Sequence, residues 1–327
     1  MLDGKSILIT GGTGSFGTTF TNHVLERYTP KKIIIYSRDE YKQYLMRERM
    51  RKYDNVLRYF IGDVRDADRL RRAFDGVDYV IHAAALKQVP SCEYNPNEAI
   101  KTNIHGAMNV IEAALDTGVN RVIALSTDKS VNPINLYGAT KLVSDKLFIS
   151  ANAYSGFKDI RFAVVRYGNV AGSRGSVIPF FAEIIKNGGK ELPITDYRMT
   201  RFWISLEEGV DLVIKALRES SGGETFIAKI PSFKVTDLAQ AMLPGCMMPE
   251  VGIREGEKLH EVMITHEDSQ RTYEYDKHYI IYPHMEWMNI TDIPIGGSLV
   301  ASEFEYSSDS NIQWLRTEEL YELVRAL

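Results

Sequence analysis

The sequence predicts an α/β protein in which a doubly wound parallel sheet carries a smaller C-terminal lobe. Through the first half of the chain, short apolar runs rich in β-branched residues alternate with longer amphipathic segments. A glycine-rich segment follows the first of these runs directly. After Gly168, glycine and proline become frequent and the candidate strands become short. Together these features indicate a regular first domain followed by a less regular second one.

The alternation gives six strands and four helices in the first half. The predicted strands are Ser6–Thr10, Lys32–Tyr36, Leu57–Ile61, Tyr79–Ala83, Arg121–Ser126 and Arg161–Arg166. The predicted helices between them are Phe16–Arg27, Arg69–Phe74, Gly106–Thr117 and Tyr137–Ala153. Such an order forms a parallel sheet with right-handed crossovers. We therefore assign residues 1–167 to the sheet domain and 168–327 to the second lobe, and we expect residues 204–220 to pack back on the first.

Composition narrows the class of protein. The chain has 327 residues, 25% of them charged, and a net charge of −4, which does not favour nucleic acid as a partner. Its two cysteines are too few for a disulfide framework and suit a reducing compartment. The most apolar stretch, Val77–Leu86, is too short to span a bilayer, and the first strand begins without an apolar leader. We expect a cytoplasmic protein that does not contact a membrane.

The segment Thr10–Gly17 reads TGGTGSFG and lies between a strand and a helix. Gly11 permits a tight turn, Gly14 lets the backbone approach a pyrophosphate, and Gly17 allows close packing of helix on strand. The helix N-terminus then faces the phosphate charge. This context predicts a Rossmann-type dinucleotide site. Its predicted contacts are Gly11, Thr13, Gly14, Ser15, Phe16 and Gly17.

The end of the second strand bears on the choice of cofactor. An NAD site usually places an acid there, whereas this strand ends in Ser37 and is followed by Arg38 and Lys42. A guanidinium and an ammonium suit a 2′-phosphate, so the pattern favours NADP. Asp39 and Glu40 oppose this interpretation if either turns inward.

The third strand is followed by Asp63 and Val64, which we place at the adenine. The Asp63 carboxylate either accepts from the adenine amino group or caps the next helix.

Tyr137 and Lys141 form a Tyr-x-x-x-Lys pair, and residues four apart lie on one helix face. A lysine ammonium beside a phenol should lower the pKa of the tyrosine toward the working pH. The preceding strand ends in Ser126 and Thr127, whose hydroxyl is placed to contact a reacting oxygen. In this order, a dinucleotide loop, a strand-end threonine and Tyr-x-x-x-Lys predict an oxidoreductive site.

These motifs resemble those of the extended short-chain dehydrogenase/reductase family, whose members act on nucleotide sugars. Within it, further segments resemble the inverting UDP-N-acetylglucosamine 4,6-dehydratases that begin pseudaminic acid synthesis, and the resemblance covers essentially the whole chain. The segments that carry it are Ser126–Lys129, Asn132–Lys141, Arg166–Val170, Thr195–Trp203, Gly256–Met263 and Phe304–Leu315. Glu255 departs from the pattern, since a proline is expected there.

The resemblance implies a catalytic set of Thr127, Asp128, Lys129, Tyr137 and Lys141. A 4,6-dehydratase needs an acid and a base beyond the tyrosine, and retaining members carry Asp-Glu where this chain carries Asp128-Lys129. We assign Tyr137 to the O4 proton, Lys129 to the C5 proton and Asp128 to the departing C6 oxygen. Because a lysine base must be neutral, we expect burial near Lys141 to lower the pKa of Lys129.

The resemblance also implies binding residues. Further cofactor contacts are Ala83, Ala84, Lys87 and Asn103, together with Tyr137 and Lys141; Asn103 would also anchor the active-site helix. Substrate contacts are Lys87, Asn169, Thr195, Arg201, Arg254 and Glu257, with the two arginines as diphosphate clamps. No metal site is predicted.

Two neighbouring activities remain open, a retaining UDP-sugar 4,6-dehydratase and a UDP-sugar 4-epimerase. A catalytically silent NADP-sensing regulator on the same fold is a third possibility, and the presence of Thr127, Tyr137 and Lys141 argues against it. Members of the family are dimers or higher homo-oligomers, which implies an interface through helices such as Gly106–Thr117 and Tyr137–Ala153.

Overall fold

The computed structural model describes residues 1–156, 158–173, 175–283 and 296–327. Its strands are β1 (Ser6–Thr10), β2 (Lys32–Ser37), β3 (Leu57–Ile61), β4 (Tyr79–His82), β5 (Arg121–Thr127), β6 (Arg161–Tyr167), β7 (Thr200–Phe202), β8 (Thr225–Ala228), β9 (Ser232–Lys234), β10 (Val262–Ile264), β11 (Thr272–Glu274), β12 (His278–Ile281), β13 (Ser298–Leu299) and β14 (Tyr306–Ser307). Its α-helices are α1 (Ser15–Arg27), α2 (Glu40–Arg49), α3 (Ala67–Phe74), α4 (Val89–Tyr94), α5 (Pro96–Ile100), α6 (Gly106–Thr117), α7 (Leu136–Ser150), α8 (Val177–Lys186), α9 (Leu206–Glu219), α10 (Val235–Met242), α11 (His266–Ser269) and α12 (Thr317–Arg325).

The predicted fold class is confirmed. The main sheet runs in the order β3-β2-β1-β4-β5-β6-β8, with every neighbouring pair parallel. The chain order reverses between β1 and β4, and ligands bind at such a switch point, outside the carboxyl ends of the strands. The six strands predicted from the first half all form, with ends that differ by at most one residue.

Both faces of the sheet are covered, because alternate residues of each strand point to opposite sides. Ile7 and Ile9 pack with α1 and α9 on one face, whereas Leu8 packs with α3, α6 and α7 on the other. All three side chains are fully buried. A strand buried on both faces reads as the near-continuous apolar run that the sequence shows.

The second half of the chain does not form one separate lobe. Strand β8 extends the parallel sheet beside β6, and β12, β11 and β13 continue it by antiparallel pairing to ten strands. Helix α9 packs against α1 on the same sheet. The remaining second lobe consists of α8, α10 and α12 around the β7–β9 pair, with the β10–β14 pair beside it. The domain boundary at residue 168 therefore assigned part of the sheet to the wrong unit.

Between α5 and α6 the helical path widens into a single π-helical turn, Lys101–His105. The Gly106 N–H donates to the Lys101 carbonyl five residues back. Such turns are rare and occur mostly at functional sites. None of the described helices combines the length and the hydrophobicity that a bilayer crossing requires.

Candidate active site

A cavity of about 500 Å³ opens at the carboxyl ends of the parallel strands. The glycine-rich turn, the end of β2, the β4 loop, the end of β5 and helix α7 all contribute to its wall. Of the residues predicted to bind cofactor or take part in catalysis, every one except Asn103 lines this single space. The sequence therefore predicted a set of side chains that the fold brings together.

In the glycine-rich turn, neighbouring backbone segments lie closer to the glycines than a Cβ atom would allow. Gly11 has φ of 67°, and a Cβ added there would lie 2.9 Å from the Ala84 backbone. At Gly17 an added Cβ would lie 2.5 Å from the Gly12 carbonyl oxygen, so helix α1 can pack this closely only with glycine. Gly14 is the N-cap of α1 and, in the described chain, no side chain caps it. The free N–H groups there favour an anion.

At the end of β2, one of the two acids that opposed NADP is paired with Lys42 and the other lies outside the cavity wall. The Asp39 carboxylate caps α2 by accepting from the Lys42 N–H at 3.0 Å, and it lies 2.9 Å from the Lys42 ammonium. Glu40 lies outside the cavity wall, whereas Ser37, Arg38 and Lys42 all line it. Asp39 lines the wall too, so the wall here carries two cations, a hydroxyl and the carboxylate that is paired with Lys42.

Asp63 also lines the cavity, but it does not cap the next helix, because Asp66 holds that position. Burial alone would raise the pKa of Asp63, but hydrogen bonds from Arg65 hold that pKa below its ordinary value. The Tyr36 hydroxyl fixes the local backbone by donating to the Asp63 carbonyl at 2.8 Å. Asp63 is therefore a carboxylate with a charged neighbour, and the adenine contact stays a prediction.

The predicted catalytic cluster forms a chain of polar contacts at the end of β5. Thr127 Oγ1 donates to Asp128 Oδ1 at 2.8 Å, and Lys129 Nζ donates to the same oxygen at 3.1 Å. Asp128 is fully buried, and Lys129 is 25% exposed. Tyr137 lies on α7 and lines the same wall as Thr127. An acid, a base and a phenol thus share one end of the cavity.

Two expected pKa directions are wrong. Burial alone would lower the pKa of Lys129, but the carboxylates of Asp128 and Glu261 raise it above its ordinary value. Burial raises the pKa of Tyr137 to about 12, and the charge that opposes this rise is that of Lys129. The sequence gave no sign of the second carboxylate beside Lys129 or of how deeply Tyr137 is buried.

Behind Tyr137 lies a buried polar network that the sequence did not reveal. Asp145 Oδ2 accepts from Ser126 Oγ at 2.5 Å and from Ser130 Oγ at 3.1 Å. Burial raises the pKa of Asp145, and the charges of Lys141 and Arg166 oppose that rise. Burial lowers the pKa of Lys141, and Asp145 partly offsets this. The network therefore fixes the carboxyl end of β5 against α7.

Asn103 anchors the active-site helix and lies outside the cavity wall. Its amide donates to the Leu86 carbonyl at 2.9 Å and to Thr140 Oγ1 at 3.0 Å, and its oxygen accepts from the Leu86 N–H at 2.8 Å. A side chain engaged in this way positions α7 and the β4 loop, and its assignment as a cofactor contact is not supported. Lys87, in the same loop, lines the cavity; burial and the charge of Lys129 lower its pKa.

The predicted substrate contacts divide into two groups. Asn169 lines the cavity, and its amide oxygen is buried with no hydrogen-bond partner among the described residues. Thr195, Arg254 and Glu257 lie outside this wall, and their roles stay predictions.

Arg201 does not fit a diphosphate clamp. Its guanidinium is buried and donates to the carbonyls of Thr200, Lys258 and Leu259 at 2.7 to 3.1 Å. The sequence identified Arg201 as a cation but did not reveal that backbone carbonyl oxygens bind its guanidinium.

Comparisons with known proteins agree with this geometry. Residues 7–283 match the family described as polysaccharide biosynthesis protein. The chain is 57% identical to a UDP-N-acetylglucosamine 4,6-dehydratase (inverting) of Campylobacter jejuni, over 99% of this chain and 98% of that one. It is 41% identical to a UDP-glucose 4-epimerase of Rickettsia prowazekii, over 99% and 96%. The crystal structure of Pen from Bacillus thuringiensis superposes with a TM-score of 0.92 at 38% identity, covering 100% and 98%.

Proposed function

This chain belongs to the polysaccharide biosynthesis protein family, and we propose that it is a UDP-N-acetylglucosamine 4,6-dehydratase that inverts C5. The observation that carries this proposal is the Asp128–Lys129 pair, joined at 3.1 Å beside Tyr137 in the cavity. A 4-epimerase moves one hydride and one proton and does not require such a pair. The 57% identity to an inverting dehydratase supports the same activity.

We propose NADP as the cofactor. The uncapped start of α1 suits a pyrophosphate, and the exposed Arg38 guanidinium with the Lys42 ammonium suits a 2′-phosphate. Lys141 would hold the nicotinamide ribose. When bound, the nicotinamide supplies a hydride acceptor for C4 and a hydride donor for C6, so no external reductant is consumed.

The side chains of the protein would carry out the proton transfers. Tyr137 takes the proton of the C4 hydroxyl once it is ionised, and the charge of Lys129 together with that of an oxidised nicotinamide would favour the phenolate. The C5 proton then leaves to Lys129, and Asp128 protonates the departing C6 oxygen. Because the neighbouring carboxylates raise the pKa of Lys129 and favour its ammonium form, a proton must first cross the 3.1 Å hydrogen bond from Lys129 to Asp128. Exclusion of water by the bound sugar favours that neutral form of the pair.

Inversion follows if C5 regains a proton on the face of the ring opposite the one that Lys129 deprotonates. The product would be UDP-2-acetamido-2,6-dideoxy-L-arabino-hexos-4-ulose, the first intermediate of pseudaminic acid-type synthesis. We propose that Lys87 and Asn169 contact this substrate, because both line the cavity near the catalytic pair. Thr195, Arg254 and Glu257 would approach it from the second lobe.

The second candidate is UDP-sugar 4-epimerization, which the 41% identity to a UDP-glucose 4-epimerase favours. Tyr137 and Thr127 suffice for that reaction, and Asp128 and Lys129 would then be structural. A retaining dehydratase is the other neighbouring activity.

One incubation separates these activities. The purified protein is mixed with UDP-N-acetylglucosamine in deuterated water and the early product is read by proton NMR. We expect a 6-methyl signal, deuterium at C5, an L-arabino configuration and no net gain at the NADPH absorbance band. An early D-xylo product makes the enzyme retaining, and UDP-N-acetylgalactosamine without a 6-methyl group makes it an epimerase.

We also propose a cytoplasmic homo-oligomer. Met108 on α6 and Val143 on α7 are 47% and 41% exposed, which suits a face covered by a second copy. Light scattering after gel filtration tests this, and Val143→Glu should reduce the measured mass if α7 lies in the interface. A monomeric parent protein contradicts it.

A further inference from the structure

Behind the catalytic lysine lies a second buried carboxylate. Glu261 is 2% exposed, and its Oε1 lies 3.2 Å from Lys129 Nζ, on an element distant in sequence from Asp128 and Lys129. It lies outside the cavity wall that Asp128 and Lys129 line. The ammonium of Lys129 is therefore shared between Asp128, which faces the cavity, and Glu261, which does not.

The backbone of Glu261 is fixed from the second lobe. Its N–H donates to Ser308 Oγ at 2.9 Å, and its carbonyl accepts from the Ser308 N–H at 2.8 Å. Arg201 Nε lies 3.6 Å from Glu261 Oε1, while the same guanidinium binds the carbonyls of Lys258 and Leu259. Arg201 therefore holds the loop that delivers this carboxylate, which explains why it is buried.

The other oxygen of Glu261 is an unusual feature. Oε2 is buried and has no hydrogen-bond partner among the described residues. A carboxylate deprived of water in this way is costly unless a nearby cation compensates it. Lys129 and Arg201 are the cations within 4 Å of it in the described chain. This cost indicates that Glu261 serves the position and charge of Lys129.

We propose that Glu261 is a positioning residue that holds Lys129 Nζ in place for proton transfer at C5. This rests on the proposed dehydratase function and adds a residue to it. With Asp128 alone, the flexible lysine side chain would have one tether and several rotamers. With carboxylates on two sides, Nζ is fixed between them, and the face of the sugar ring that it approaches is fixed as well.

The charge of Lys129 depends on every group that faces it. Asp128 and Glu261 raise its pKa, and Arg201 lowers it. Lys129 also interacts electrostatically with three further groups. Its charge acts to lower the pKa of Lys87, Lys258 and Tyr137. Removal of Glu261 alone should therefore lower the pKa of Lys129 and leave more of the neutral amine at alkaline pH.

The first test does not require turnover. Glu261→Gln keeps the shape and removes the charge, and Lys129 is then labelled with trace acetic anhydride across a pH series and quantified by peptide mass spectrometry. We expect the reactivity of Lys129 at pH 9 to rise about tenfold or more, as expected when an opposite charge within hydrogen-bond distance is lost. Glu318→Gln removes an exposed carboxylate from the first turn of α12, in the same lobe, and should leave the labelling unchanged. Parental labelling in the Glu261 variant overturns the proposal.

The second test uses turnover and distinguishes positioning from folding. Glu261→Gln should lower the formation of the 6-methyl product about tenfold or more and bring an alkaline loss of activity into the measurable range, while Glu261→Asp should recover part of the rate. In a Lys129→Ala background, Glu261→Gln should cause no further loss, because the residue it acts through is absent. Additive losses would make the role structural and overturn the proposal. If the parent makes no 6-methyl product, the dehydratase function fails, and the labelling alone then decides whether Glu261 controls the charge of Lys129.

Discussion

Gly138 offers a sharp test of how closely the catalytic elements are packed. It follows Tyr137 in α7, and the backbone of Lys129 passes directly against it. A Cβ added at Gly138 would meet the Lys129 carbonyl oxygen well inside the 3.0 Å that such carbons keep, and would lie 3.1 Å from Pro133 Cβ. Both neighbours belong to the loop that carries the catalytic pair, and a backbone oxygen cannot rotate away as a side chain can.

Gly138→Ala must therefore move the loop and α7 apart by about 1 Å, the scale of misplacement that costs roughly a hundredfold in rate. Overpacking of this kind also destabilises a fold by about 1–3 kcal/mol. We expect kcat for dehydration to fall by about that factor, with a smaller change in cofactor affinity, since the glycine-rich turn lies on another element.

The assay follows the 6-methyl product by NMR, cofactor binding by calorimetry and stability by thermal unfolding. Gly209→Ala in α9 is the matched control, because the nearest atom to its added Cβ is 3.9 Å away. Replacing that helical glycine should raise stability by about 0.5–1 kcal/mol and preserve kcat. A Gly138→Ala enzyme with the parental kcat and melting temperature would refute the close packing described above.

Three further outcomes are expected. The parent should bind NADP more tightly than NAD, and Arg38→Asp should reverse that order; equal affinities in the parent would contradict the assignment of the β2 end. Lys129→Ala should still bind cofactor and substrate but lose overall turnover by about a hundredfold or more, the worth of a positioned acid–base group, so a near-parental rate removes its role. Burial lowers the pKa of His82 to about 3 while it bonds Thr10 Oγ1 at 2.8 Å. An unfolded histidine binds its proton below about pH 6.5, so the free energy of unfolding should decline as pH falls from there toward 3, and His82→Asn should decline less steeply; parallel profiles would contradict this.

The first half of the fold was predictable because each strand is an unbroken buried run bounded by turn residues. The sequence placed Ser6–Thr10 and Gly106–Thr117 where the structure has them. Strand β8 was not predicted, because its four residues are all buried and are too few to show a periodic hydrophobic pattern. Its place beside β6 depends on contacts distant in sequence, which a local pattern does not record.

The candidate site was predictable in its membership but less so in its electrostatics. Motifs named Asp128, Lys129 and Tyr137, and all three line the cavity. The charge on Lys129 was misjudged because Glu261 reaches it from a distant part of the chain. Arg201 was predicted to bind a diphosphate because a guanidinium is able to do so. In the structure its guanidinium binds backbone carbonyl oxygens, which the residue type alone does not indicate.

The π-helical turn at Lys101–His105 constrains how this protein tolerates changes of length. One residue of a helix corresponds to a rotation of about 100° around its axis. Deleting a residue here would restore ordinary α-helical winding and rotate α5 relative to α6. Asn103 would then turn away from Leu86 and Thr140, the two groups that its amide joins. A deletion at this turn would uncouple α7 from the β4 loop, and it would also displace Thr102, the residue of the turn that lines the cavity.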